Sequence, residues 1–202
     1  MAVLGVADHG GWAVCVTVAA SRGVPVVVDR RRIELIDKGV PSQPYHHDTV
    51  KMPRAEAEAL VAHVRTHVIQ TTLARLSELR DELQPPYTIV AMTLRTPPLS
   101  FVPVTVAEAH QSYNVMCRAD GMMYHDALGT AARTLKIPVE LLDRGQEMAR
   151  ASERLDVTPE KLEQFLHAAG EGVGRPWQKE HRLAAAAAMG VLADRQRISL
   201  SV

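Results

Sequence analysis

Ala2-Val3-Leu4-Gly5-Val6-Ala7-Asp8-His9-Gly10-Gly11-Trp12-Ala13-Val14-Cys15-Val16-Thr17-Val18-Ala19 opens the chain with two apolar runs divided by four turn-forming residues. Each run has the length of a strand, and the division by Asp8-His9-Gly10-Gly11 predicts a hairpin of two buried strands. Val24 to Asp29 continues with a β-branched run, and Arg32 to Ile36 extends or follows it. The opening therefore predicts a three-stranded antiparallel meander.

Working outward, Gly39 to Pro53 holds three prolines and the cluster Tyr45-His46-His47-Asp48, and reads as a loop. Pro53 to Leu83 predicts a long helix, because Val61, Val64, Val68, Leu76, Leu79 and Leu83 recur at helical spacing. Pro85-Pro86 stops it. Tyr87 to Leu94 reads as a strand bounded by Pro97-Pro98, and Thr105 to Leu135 as a helix with a break near Gly121 or Gly129. Ile137 to Leu142 is a further strand. A helix opens at Val157-Thr158-Pro159-Glu160 and runs to about His167, capped by Thr158 or Asp156. Gly170 to Gly174 reads as a hinge, and Trp177 to Ala193 as the final helix, centred on the run Ala184 to Ala188. A meander followed by alternating helices and strands predicts a mixed sheet with helices on its faces.

The whole chain sets bounds on this reading. Its 202 residues suit one core, and we read 1–202 as a single domain. Hydrophobic residues make up 47% and charged residues 23%, which describes a folded globular chain. Lys plus Arg (23) balances Asp plus Glu (23), so there is no global basic surplus of the kind that grips nucleic acid. Only a local basic face is left open. Cys15 and Cys117 lack zinc-pair spacing and read as buried free thiols of a reducing compartment. The apolar start has no basic residue before Arg22, so secretory targeting is not expected. No run is long enough to span a bilayer, and the expected location is cytoplasmic, with no membrane partner.

Several segments resemble the RuvC-type Holliday-junction resolvase group of the RNase H-like superfamily. Leu4-Gly5-Val6-Ala7-Asp8-His9-Gly10 resembles that group's first strand, which delivers an Asp into a tight turn. Gln84-Pro85-Pro86-Tyr87-Thr88-Ile89-Val90 resembles its entry into the fourth strand. Asn114 to Leu142, with Arg118-Ala119-Asp120-Gly121 and Ile137-Pro138-Val139-Glu140, resembles the helix and fifth strand that follow. Glu180-His181-Arg182-Leu183-Ala184-Ala185-Ala186-Ala187 resembles the alanine-rich last helix. These pieces cover about half of the chain. The resemblance implies an α/β RNase H-like fold: a mixed five-stranded sheet, with three antiparallel strands, then parallel fourth and fifth strands.

It also implies a chemistry, and here the residues depart from the pattern. Enzymes of the group hydrolyse phosphodiesters with two metal ions held by carboxylates from the first strand, the fourth strand and the last helix. Asp8 fills the first place. The second falls near Ala91, Met92 and Thr93, none of them acidic, and the places on the last helix fall near Gln178 and His181, with Glu180 adjacent. By this resemblance Asp8, His181 and Glu180 are the candidate catalytic residues, and Asp8 and His181 the candidate metal ligands for Mg or Mn. Asp143, Glu140, His110 and the loop residues His46, His47 and Asp48 are candidate substitute ligands. Asp8, His9 and His181 together would suit a Co-substituted or Mn²⁺ site, since imidazole suits such metals better than Mg²⁺.

Other signals read as structural. His63 and His67 share a helix face beside the valine stripe, where packing accounts for them. Arg30-Arg31-Arg32 between Asp29 and Glu34 reads as a solvated strand edge. Three functions remain in view. The leading one is a domain with a degenerate acidic cluster, without standard two-metal activity, that binds an unknown protein or nucleic-acid partner through the groove at its sheet end. The alternative is a divergent metal-dependent nuclease, which a basic groove beside Asp8 would favour. The third is a structural or self-assembling domain, a homodimer through its alanine-rich or long helix, which a large exposed apolar patch would favour.

Overall fold

In the computed structural model, which describes residues 1–97, 103 and 105–200, the opening stretch forms β1 (Ala2–Asp8), β2 (Trp12–Ser21) and β3 (Val24–Glu34). β1 pairs antiparallel with β2, and β2 with β3. The third strand is one element, so Arg32 to Glu34 extends it. Its register with β2 shifts between Thr17 and Val18, where Val28 is skipped, and such a bulge increases the local twist. β4 (Ile89–Arg95) pairs parallel with β1, and β5 (Val139–Leu142) parallel with β4, giving the sheet order β3-β2-β1-β4-β5. The expected mixed five-stranded sheet is the one observed. Pro98, expected to help bound the fourth strand, lies outside the described residues.

Alternation along β1 divides the interior in two. Leu4 and Val6 face α1 (Arg54–Leu83) and α3 (Tyr113–Thr134), meeting Val64, Val68, Leu76, Met123 and Leu128. Val3 and Ala7 face the opposite side, where α4 (Glu147–Leu155), α5 (Pro159–Val173) and α6 (Lys179–Arg195) pack. On that side α6 lies directly on β1. A Cβ placed on Gly5 would stand 1.9 Å from the Ala184 carbonyl oxygen, so only glycine lets the helix approach this closely. Ala184 to Ala188 are all buried in this contact. The alanine run is therefore internal and offers no face for the self-assembly expected of it.

Five other expectations change. The segment from Thr105 to Leu135 is two helices, α2 (Val106–Ala109) and α3, and the break falls at His110 to Ser112. Two start signals cause it: Thr105 and Glu108 form a reciprocal capping box, and Ser112 accepts the Val115 N–H as a new cap. Gly121 and Gly129 lie within α3. α4 was not expected from the sequence; it packs on α6 where Gly190 brings the backbone at Ala151 close. α5 runs through Gly170 to Val173 instead of ending near His167, so the glycine hinge shrinks to Gly174. Gly170 is needed within the helix because the Trp177 ring occupies the space of its missing side chain. Finally, the proline-rich loop contains a π-helical turn, Pro44–Asp48, and Cys117 is only half-buried, whereas Cys15 is buried as expected and both thiols are free. Among the described residues no helix is long and apolar enough to cross a membrane.

Candidate functional site

β1 and β4 are parallel neighbours, so their carboxyl ends open on the same edge of the sheet, the usual position of ligand crevices in open α/β sheets. Asp8 ends β1 and Arg95 ends β4. α3 passes beside both and contributes Arg118, Gly121, Met122 and His125, and Arg144 follows β5. Together with His9, Gly10, Thr96 and Pro97 they enclose a cavity of about 510 Å³. Its ionisable lining is one carboxylate, three guanidinium groups and two imidazoles. In a chain of zero net charge, this is a local cationic site.

Asp8 is engaged by its neighbours. Its Oδ2 lies 3.6 Å from His125 Nδ1, while Oδ1 is buried with no hydrogen-bond partner. Burial pushes this carboxyl up, but the approach and charge of His125, a backbone N–H and the charge of Arg95 outweigh it, holding Asp8 below the usual carboxylate value. Arg95 is fixed in turn by Glu147 of α4, with Nε 3.2 Å from Oε1, and Glu147 is nearly buried at 4% side-chain exposure. His9 stacks on Trp12 at 3.9 Å between centroids, and the Arg32 guanidinium lies 4.1 Å from the centre of the same indole. Burial lowers the His9 pKa, although the charges of Glu180 and Asp8 oppose the shift.

The candidates named from sequence separate into three places. Asp8 and His9 line the cavity. His181 does not; it is buried at the start of α6, where its Nδ1 accepts the Gln178 backbone N–H at 3.2 Å. That bond satisfies the helix start and leaves one ring nitrogen for any ligand. Burial first, and the charge of Arg30 second, lower its pKa. Glu180 is near enough for its charge to act on His9, but it does not line the cavity. His46, His47 and Asp48 sit on the π-helical turn against another face of α3. Among the proposed substitutes, Glu140 pairs with Arg195 at 2.7 Å, His110 meets Thr49 at 3.0 Å, and Asp143 lines a different depression with Arg150 and Arg154. His67 pairs with Asp37 at 3.1 Å and His63 is exposed. Among the described residues, no group of three or more His, Cys, Asp or Glu side chains is arranged to hold a metal ion.

Sequence reasoning missed Arg95, Arg118, His125, Arg144 and Glu147. The place that the resemblance implies on the fourth strand is an acid at Ala91 to Thr93, while the strand runs on to Arg95. The one available signal was that a charged residue ends an apolar strand parallel to the one that ends in Asp8.

No protein-family model matches the sequence, and no curated protein does. Solved structures do match. The Thermus thermophilus RuvC structure aligns with a TM-score of 0.52 at 13% identity, over 96% of each chain. The structure of T. thermophilus RuvC in complex with Holliday junction substrate aligns with a TM-score of 0.52 at 12% identity, over 96% of this chain and 95% of that one. With this sheet order, these helix positions and these neighbours taken together, the chain has an RNase H-like fold that resembles RuvC.

Proposed function

We propose that this chain is a nucleic-acid-binding domain that holds a phosphodiester in the cationic cavity beside Asp8, without a paired-metal centre. The observation that carries the reading is the lining itself: Arg118 and Arg144 join Arg95, whose charge Glu147 partly offsets from behind, at the sheet edge around Asp8, the one carboxylate of the lining. Guanidinium groups match phosphate oxygens in geometry and charge, and a cavity bordered by several of them suits a phosphate better than an apolar protein segment. The neutral whole-chain charge is consistent with a local grip in place of a general one. The neighbour solved with a Holliday junction makes branched DNA the first probe.

The donors at Asp8 do not suit two divalent cations. A pair of ions needs several anionic oxygens, whereas Asp8 is approached by His125 and by the charge of Arg95. A basic groove supports nucleic-acid contact under either a binding or a nuclease reading. What favours binding is that the positive groups act on Asp8 itself, in the place where metal charge would be needed. The alternative, a divergent nuclease with one ion on Asp8, is favoured by two observations: the basic groove beside Asp8 that was expected of it, and the buried Asp8 Oδ1, which has no partner.

The test is fluorescence anisotropy with labelled branched DNA, single strands and duplex across a salt series. Titration calorimetry with Mg²⁺ and Mn²⁺ runs beside it, on wild type and Asp8→Ala, with cleavage assayed in parallel. Binding that weakens with salt, falls roughly 5- to 10-fold in Arg144→Ala and needs no divalent ion is the expected result. Metal binding that disappears in Asp8→Ala together with metal-dependent cleavage would establish the nuclease instead.

A further inference from the structure

Thr93 and Arg95 lie two residues apart on β4, so their side chains share the face turned toward α4 and α6. On that face lies a small internal chamber of about 10 Å³. β1, β4, β5 and α6 wall it with apolar groups, among them Val6, Leu94, Leu142, Ala184 and Ala187. Among the described residues its polar lining is Thr93, Arg95 and Glu147, and Arg95 is the one residue that also lines the larger cavity. The Arg95 side chain therefore stands between the two spaces.

Thr93 and Glu147 each bring to the chamber a buried oxygen that no protein group meets. Thr93 is 1% exposed and Glu147 3%, and neither Thr93 Oγ1 nor Glu147 Oε2 has a hydrogen-bond partner in the protein. The other Glu147 oxygen accepts Arg95 Nε–H at 3.2 Å. A polar atom taken from bulk water and given no partner costs more than a hydrogen bond gains, so buried oxygens of this kind are bridged. The chamber has room on the order of one water molecule, which needs about two to four polar partners. A divalent cation does not fit, because two oxygens are too few ligands and the Arg95 guanidinium lies beside them.

We infer that one buried water bridges Thr93 Oγ1 and Glu147 Oε2, and that this bridge fixes Glu147 and, through it, Arg95 at the edge of the cavity. The Thr93 hydroxyl donates to the water, and the water donates to Glu147 Oε2. Both carboxylate oxygens are then engaged, one by Arg95 and one by the water, so Glu147 cannot turn and the guanidinium it holds keeps one direction. Thr93 is thus a positioning residue for Arg95, whatever ligand the cavity takes.

The deciding experiment needs no ligand. Magnetic relaxation dispersion of water oxygen counts the long-lived internal waters of the full chain, and exchange of the Arg95 Nε–H with solvent, followed by NMR, reports how firmly the guanidinium is held. Thr93→Val keeps the branched shape and removes the hydroxyl. It is expected to lose a single long-lived water, and its Arg95 Nε–H to exchange roughly 2- to 10-fold faster than in wild type. Thr93→Ser restores both. An equal water count in wild type and Thr93→Val overturns the bridge. Loss of the water with Arg95 exchange unchanged overturns the positioning role. Should Thr93→Val fail to fold, a crystal structure of the wild type decides: one water within hydrogen-bond reach of both oxygens supports the bridge, and a direct bond between Thr93 Oγ1 and Glu147 Oε2 overturns it, as does a chamber without density.

Discussion

Gly5 and Asp8 stand three residues apart on one strand and obey different constraints. At Gly5 the surroundings are uncharged and closed, with the backbone of α6 pressed onto β1. At Asp8 the strand ends in an open cavity, and its neighbours are ionisable groups from three other parts of the chain: Arg95, His125 and Arg144. The middle of the strand is governed by shape, its end by electrostatics. Substitutions at the first should therefore change stability, and substitutions around the second should change binding, unless a charge has been buried along with it.

The largest effect is expected at the closed end of this comparison. Gly5→Val drives a branched side chain into the Ala184 carbonyl, which cannot swing aside as a side chain would. A loss of about 3 kcal/mol or more in urea unfolding, up to failure to fold, is expected, because the obstacle is backbone. Near-native stability would mean that α6 does not sit on β1 as described.

Arg95→Ala tests whether the two regions separate cleanly. Arg95 borders the cavity, but its partner Glu147 is almost wholly buried and already has one oxygen that no protein group meets. Removing the guanidinium leaves that carboxylate uncompensated, and a loss of about 3 kcal/mol is expected in the same unfolding assay. Adding Glu147→Gln should restore part of it. If Arg95→Ala weakens binding with no change in stability, the comparison is sharper than the buried ion pair predicts.

The smallest of these effects concerns the π-helical turn. Burial pushes Asp120 up to about 7 from 3.8; the N–H groups of Tyr45 and His46 oppose the shift and the charge of Asp48 adds to it. Between those two values the folded chain keeps a proton that the unfolded chain has released. Stability should thus fall as pH rises through that window and level off above it. Asp120→Asn keeps an acceptor for the turn and removes the buried charge. We expect it to be about 1–2 kcal/mol more stable than wild type at pH 8, with the gain vanishing toward pH 4, read by thermal melts across pH. A gain that does not depend on pH would place the Asp120 proton elsewhere.

What was legible in the sequence follows the same division. The valines and leucines of β1, β2 and α1 repeat at the spacing of the element they form, so strand and helix could be read from neighbours in the chain. α4 escaped because it is only nine residues long: its faces segregate well, but Ala151, Ser152 and Leu155 span barely one repeat of the helical pattern. Asp8 was legible because a tight turn follows it directly. Arg95, His125, Arg144 and Glu147 were not, since each is an ordinary charged residue until the parallel pairing of β1 with β4 and the packing of α3 and α4 bring them together. His181 shows a further limit: one of its two ring nitrogens is committed to the start of its own helix, which the sequence does not display.

The stacking of Trp12 and the seating of Trp177 have a spectroscopic consequence. These are the two tryptophans of the chain, and they occupy opposite kinds of place. Trp12 stands between His9 and Arg32 beside the cavity, where an imidazolium or a displaced guanidinium would alter its quenching. Trp177 fills the notch at Gly170 and donates its indole N–H to the Leu166 carbonyl at 2.8 Å, so its emission follows the docking of α5. With Trp12→Phe and Trp177→Phe to assign the two signals, the protein carries its own pair of optical reporters, one for ligand arrival and one for the integrity of the helical layer.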